Sequence, residues 1–125
     1  MVYGIGIDLV RISRIEQMIH RWGPRFLQRT FTPGEIEYCS DKAFKSQHYA
    51  ARFAVKEAVF KALGTGWSKG VTWHDVEVFN NERGRPEVKL HGRCQELAAK
   101  LEVKRILISI SHDQDYAIAQ ALIEG

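Results

Sequence analysis

A carboxylate and an amine one helical turn apart, Glu57 and Lys61, lie in Phe53-Ala-Val-Lys-Glu-Ala-Val-Phe-Lys-Ala-Leu63, where apolar side chains run almost all the way round a helix. At about 100° per residue, Ala54, Val55, Ala58, Val59, Ala62 and Leu63 form one broad stripe, and Phe53 and Phe60 fall beside Glu57 on the opposite side. Burial of that second side makes Glu57 costly unless a cation compensates it, and Lys61 supplies only part of the charge. A metal ion, or a phosphorylated ligand with its metal, would supply the rest. The same spacing also fits an exposed Glu57–Lys61 pair that stabilises the helix by about 0.2–0.5 kcal/mol.

A second carboxylate sits near the amino terminus. Val2-Tyr-Gly-Ile-Gly-Ile-Asp-Leu-Val10 reads as a strand with Ile5, Ile7 and Leu9 on one face and Gly4, Gly6, Asp8 and Val10 on the other. Glycine weakens a strand interior, so two of them beside a carboxylate mark a place where a ligand or another backbone comes close. Asp8 by itself reads as a strand-end turn residue. Asp8 together with Glu57 makes an oxygen-donor pair suited to Mg²⁺, which takes one or two carboxylates, several waters and substrate phosphates.

The strand Gly4-Ile-Gly-Ile-Asp8, the helix Arg52-Phe-Ala-Val-Lys-Glu-Ala-Val-Phe-Lys61 with Gly64-Thr-Gly66, and Ser109-Ile-Ser-His112 resemble the bacterial holo-acyl-carrier-protein synthases, the short class of 4'-phosphopantetheinyl transferases. Phe31-Thr-Pro-Gly-Glu-Ile-Glu-Tyr-Cys39, Asp75-Val-Glu-Val78 and Asn81-Glu-Arg-Gly-Arg-Pro86 extend the likeness nearly end to end. The resemblance implies transfer of the 4'-phosphopantetheine arm of coenzyme A to a serine of an acyl carrier protein, releasing adenosine 3',5'-bisphosphate and supporting fatty acid biosynthesis. Asp8 and Glu57 are then the expected Mg²⁺ ligands, and Lys61 contacts the phosphate that leaves. A metal-bound water and a side chain both stay open as the base for the serine proton. Lys56 is a second phosphate candidate, with surface solubility as its alternative. Gly64, Thr65 and Gly66 are expected to help hold coenzyme A, although on their own they read as a helix stop. The loop with Asn81, Gly84 and Pro86 is expected against the adenine, although it also reads as a plain hairpin turn. His112, in phase with Ile106, Ile108 and Ile110 at a strand end, matches the histidine near the 3'-phosphate, with a general-base role as the lesser alternative.

These residues need elements to hold them. A helix is predicted after the first strand, started by a capping box of Ser13 and Glu16, striped by Ile15, Met18, Ile19 and Trp22, and broken at Gly23-Pro24. A helical turn through Phe26 and Leu27 follows, and Thr32, Pro33 and Glu35 start a second short helix toward Cys39. The long helix is predicted over residues 46–63, with Gly64 as its stop. Beyond Gly70 come strands over 76–79 and 87–90 joined by a turn-rich connection, a helix over about 92–101, and strands over 106–112 and 116–123. The fold class is α+β, a single domain with a mainly antiparallel sheet carrying helices on one side. The resemblance implies a homotrimer with active sites at subunit boundaries.

Charge points to the partner. The net charge is +3 and the isoelectric point about 9.0, but between residues 11 and 29 five arginines face one acid, Glu16. An acidic partner is implied, and nucleic acid, an anionic membrane or an acidic protein would each serve. A basic nucleic-acid module explains those arginines but gives Asp8 and Glu57 no purpose, and the exposed aromatic run of single-strand binders is missing. No nucleic acid partner is therefore expected. Arg14 and Arg21 share a helix face and, with Met18 and Arg25, form the expected docking surface for an acidic carrier protein. The apolar start is too short for a membrane span or a signal peptide, and two isolated cysteines, Cys39 and Cys94, fit a reducing cytoplasm.

Overall fold

The computed structural model describes residues 1–66 and 70–125. Strand β1 (Val2–Arg11) passes without a break into α1 (Ile12–Trp22). The expected capping box of Ser13 and Glu16 does not form. Arg11 is the cap, in extended backbone and without a side-chain hydrogen bond, and the Ile12 N–H donates instead to Asp115 O at 2.8 Å. A carbonyl from a distant turn thus does the work assigned to a local serine. Trp22, placed by its spacing on the apolar stripe, keeps 44% of its surface, whereas Ile15 is buried.

Gly23, at φ 52°, ends α1, and Pro24 opens α2 (Pro24–Thr30), a full short helix where only a turn was expected. The next start signal works as read. Thr32 Oγ1 accepts the Glu35 N–H, Glu35 Oε1 accepts the Thr32 N–H at 2.8 Å, and α3 (Pro33–Ser40) follows. Helix α4 (Lys45–Leu63) buries 13 of its 19 residues, which makes it the axis of the core. Phe53 and Phe60 pack on Trp73 with ring centroids 4.8 Å and 5.8 Å away, so the second side of this helix is buried as expected. Gly64 caps it in the left-handed region at φ 77°.

A short 3₁₀ turn at Trp73–Asp75 leads into β2 (Val76–Asn80), which pairs antiparallel with β3 (Pro86–Leu90). Helix α5 (Gly92–Lys100) and the hairpin β4 (Arg105–His112) and β5 (Tyr116–Glu124) complete the chain. The fold is α+β, but the single sheet expected is two: a three-stranded antiparallel sheet in the order β1-β5-β4 and the separate β2-β3 hairpin. Among the described residues no helix is long and apolar enough to cross a membrane.

The three-stranded sheet carries α4 on one face. That face is lined by small residues, Gly4 and Gly6 on β1 and Ala117, Ala119 and Ala121 on β5, which lets the helix come close. The open question about the glycines is answered by backbone. A Cβ at Gly4 would stand 2.1 Å from Ala62 O, and one at Gly6 would stand 2.0 Å from Ala58 O. On the other face Ile5, Ile7 and Leu9 remain 58%, 54% and 60% exposed. Because backbone meets backbone at Gly6, Gly6→Ala is expected to cost about 3 kcal/mol or more in urea unfolding, above the usual range for overpacking. An alanine variant as stable as the parent would show that the helix does not depend on this approach.

Candidate active site

Helix α4 runs antiparallel to β1 where they touch, since Gly4 meets Ala62 and Gly6 meets Ala58. Continuing along both elements brings Asp8 toward the turn that carries Glu57, with Lys61 one turn beyond it on the same helix face. Helical side chains lean toward the helix amino terminus, and Lys61 follows this rule back to β1. Its Nζ donates to Ile7 O at 2.9 Å and to Asp8 Oδ1 at 3.1 Å. Lys61 is exposed and Asp8 partly buried, so their contact lies at an edge that solvent and a ligand can reach, and Glu57, also partly buried, stands one turn before Lys61 on α4.

The donor chemistry of this edge fits a hard divalent cation. It offers carboxylate oxygens and no sulfur, and among the described residues no group of three or more His, Cys, Asp and Glu forms a closed metal cage. Two carboxylates that leave positions for water and phosphate suit Mg²⁺. Cys39 and Cys94 are both fully buried, and burial pushes their thiols up to about 11 and about 12, which disfavours the reactive thiolate.

Lys56 corrects the expectation that it meets a phosphate. One position back from Glu57 on the helix, its side chain points into the core and is fully buried. Nζ lies 2.8 Å from Glu35 Oε1 and donates to Trp73 O at 3.0 Å and to Val76 O. Burial holds its pKa below the ordinary lysine value even with Glu35 alongside. Removing one partner of a pair so deeply placed costs about 3–5 kcal/mol. Glu35, expected as a helix-starting residue, thus has this second partner. Arg52, one turn before Lys56, is also buried, over the Tyr38 ring at 4.1 Å, and donates to Asn80 Oδ1 at 2.8 Å. Both cations fall where the helix packs against α3 and β2, on sides whose neighbouring positions are apolar.

The other expected ligand-binding residues occupy three places. Gly64, Thr65 and Gly66 follow α4 directly, with Thr65 buried and its Oγ1 donating to Phe60 O at 3.3 Å. Asn81 organises its own loop, its Oδ1 accepting the Arg83 and Arg85 N–H groups at 2.9 Å and 3.0 Å, while Gly84 sits at φ 78° and Pro86 begins β3. His112 ends β4, exposed, and shares a hydrogen bond with Gln47 of α4. Burial, then the positive charges of Arg52 and Lys42, hold the nearby His48 below its ordinary pKa. Arg14, Arg21 and Arg25 stand exposed with Met18 half-buried among them, and Arg21 stacks on Trp22 at 5.1 Å.

A sequence model of the 4'-phosphopantetheinyl transferase superfamily matches residues 4–121, and the chain belongs to that family. It is 50% identical over 124 residues to the holo-[acyl-carrier-protein] synthase of Geobacter sulfurreducens, covering 99% of this chain and 98% of that protein. Among solved structures it is similar to the holo-[acyl-carrier-protein] synthase of Neisseria meningitidis, with a TM-score of 0.92 and 30% identity over the whole of both chains. The Helicobacter pylori holo-[acyl-carrier-protein] synthase in complex with coenzyme A matches with a TM-score of 0.85 and 36% identity, over 96% of this chain and 99% of that one.

Proposed function

We propose that this chain transfers the 4'-phosphopantetheine arm of coenzyme A to a serine of an apo acyl carrier protein, in the cytoplasm and in support of fatty acid synthesis. The carrying observation is the open edge where Lys61 contacts Asp8 beside Glu57. Family membership and the coenzyme A complex of the Helicobacter pylori relative support the same reading. The serine oxygen forms a bond to the phosphorus that carries pantetheine. The bond from that phosphorus to the bridging oxygen breaks, the serine proton passes to solvent, and adenosine 3',5'-bisphosphate leaves.

Phosphoryl transfer asks a protein mainly for positioning and for charge to meet charge. Mg²⁺ held by Asp8 and Glu57 would, when bound, offset the negative charge of the diphosphate. Lys61, exposed and in contact with Asp8, brings a further positive charge to the leaving phosphate. His112, exposed at the end of β4 beside Gln47, is the group that meets the 3'-phosphate in this reading, and the positive charges of Arg52 and Lys42 near this end of α4 favour an anion there. The Gly64-Thr-Gly66 turn and the loop around Asn81, Gly84 and Pro86 hold the rest of coenzyme A.

The exposed apolar face of β1 suits burial between copies of the chain, which supports a homotrimer. Arg14 and Arg21, with Arg25 and Met18, present a basic surface with an apolar centre to an acidic carrier.

Asp8→Ala and Glu57→Ala are each expected to lower transfer by about 10²–10³-fold or more while leaving the circular dichroism spectrum unchanged. Transfer is read as the mass gained by an unmodified carrier protein mixed with coenzyme A and Mg²⁺. Near-normal transfer by either variant at limiting Mg²⁺ would contradict the role given to these carboxylates. Arg14→Glu and Arg21→Glu should raise the KM for the carrier about tenfold, spare coenzyme A affinity and flatten the salt dependence of the reaction. Unchanged carrier kinetics would place the docking surface elsewhere.

A further inference from the structure

We infer that the buried Glu35–Lys56 pair is a positioning device for the loop of residues 81–85, and so sets how well the nucleotide is held. The inference rests on the reading of that loop as part of the coenzyme A site. A hairpin of two five-residue strands has little stability of its own and takes its place from what it docks on. Here the dock is directional.

The pair makes a complete set of hydrogen bonds. Lys56 Nζ reaches Glu35, Trp73 O and Val76 O, which occupies all three of its protons. Glu35 Oε1 also accepts the Thr32 N–H, and Oε2 accepts the Val78 N–H at 2.8 Å. Two alternate residues of β2, Val76 and Val78, are thereby tied to α4 and to the start of α3. The tie continues outward: Arg52 donates to Asn80 Oδ1, and Asn80 Nδ2 donates to Gly84 O at 2.9 Å, inside the loop. Apolar contacts alone would tolerate sliding of β2 along the helix, whereas a buried set of charged hydrogen bonds is satisfied in one register. Lys56 also immediately precedes Glu57, so neighbouring positions of one turn of α4 send one charge inward to hold the hairpin and the other toward the active edge.

The test compares Glu35→Gln, which keeps the shape of the side chain, and Lys56→Met with a core variant on β5, Ile123→Val or Ile123→Ala, chosen for the closer loss in Tm. Each is titrated calorimetrically with adenosine 3',5'-bisphosphate below its Tm, after near-ultraviolet circular dichroism shows it folded. Glu35→Gln should weaken the nucleotide about tenfold or more, as small misplacements do, and speed amide exchange over residues 76–90, with neither change in the β5 control. If Lys56→Met does not fold, Glu35→Gln still decides. Nucleotide affinity in Glu35→Gln equal to that of the β5 control would overturn the inference and leave the pair a stabilising contact. A parent chain that binds no nucleotide would instead overturn the functional reading, and this role with it.

Discussion

The site depends on how closely α4 approaches β1. Gly4 and Gly6 leave room for the carbonyl oxygens of Ala62 and Ala58, with no side chain between helix and strand. Only at that separation does Lys61 reach the carbonyl of Ile7 and the carboxylate of Asp8. The cost is the weak strand propensity of two glycines, about 0.5–1 kcal/mol each relative to alanine. It is offset by a helix buried on nearly every side and by pairing of β1 with β5 along almost its full length.

The charges on α4 divide by direction. Arg52 and Lys56 turn into the protein, where a ring, backbone carbonyls, Asn80 and Glu35 meet them. Glu57 and Lys61 turn to the open edge. A buried charge is costly unless partners compensate it, fully for Lys56 and in part for Arg52, whose Nε has no hydrogen-bond partner, while a charge meant for a ligand must stay within reach of solvent. Four charged residues within ten positions thus serve two purposes through helical phase alone.

Much of this was legible in the sequence because it rests on local rules. The start of α3 at Thr32 and Pro33, the stop of α4 at Gly64, and the hairpin pairing Val76 with Leu90 all follow from short-range geometry. The start of α1 was not legible, because the acceptor for its first N–H is Asp115, distant in sequence. The division into two sheets was also hidden, since strand neighbours are set by tertiary packing. At the site, Asp8, Glu57 and Lys61 could be singled out by phase and by the adjacent glycines. The burial of Lys56 was not legible, because its partner Glu35 lies 21 residues away in sequence and carries a second task in a capping box.

The central claim is that close helix-to-strand packing builds a cation site from Asp8 and Glu57, with Lys61 as the movable charge. Crystals grown with coenzyme A and Mn²⁺ in place of Mg²⁺, measured for anomalous scattering, test it most directly. The account predicts a peak between the carboxylates of Asp8 and Glu57, with the Lys61 ammonium drawn away from Asp8 toward phosphate. Coenzyme A bound with no peak at those carboxylates, or with Lys61 still resting on Asp8, would contradict it.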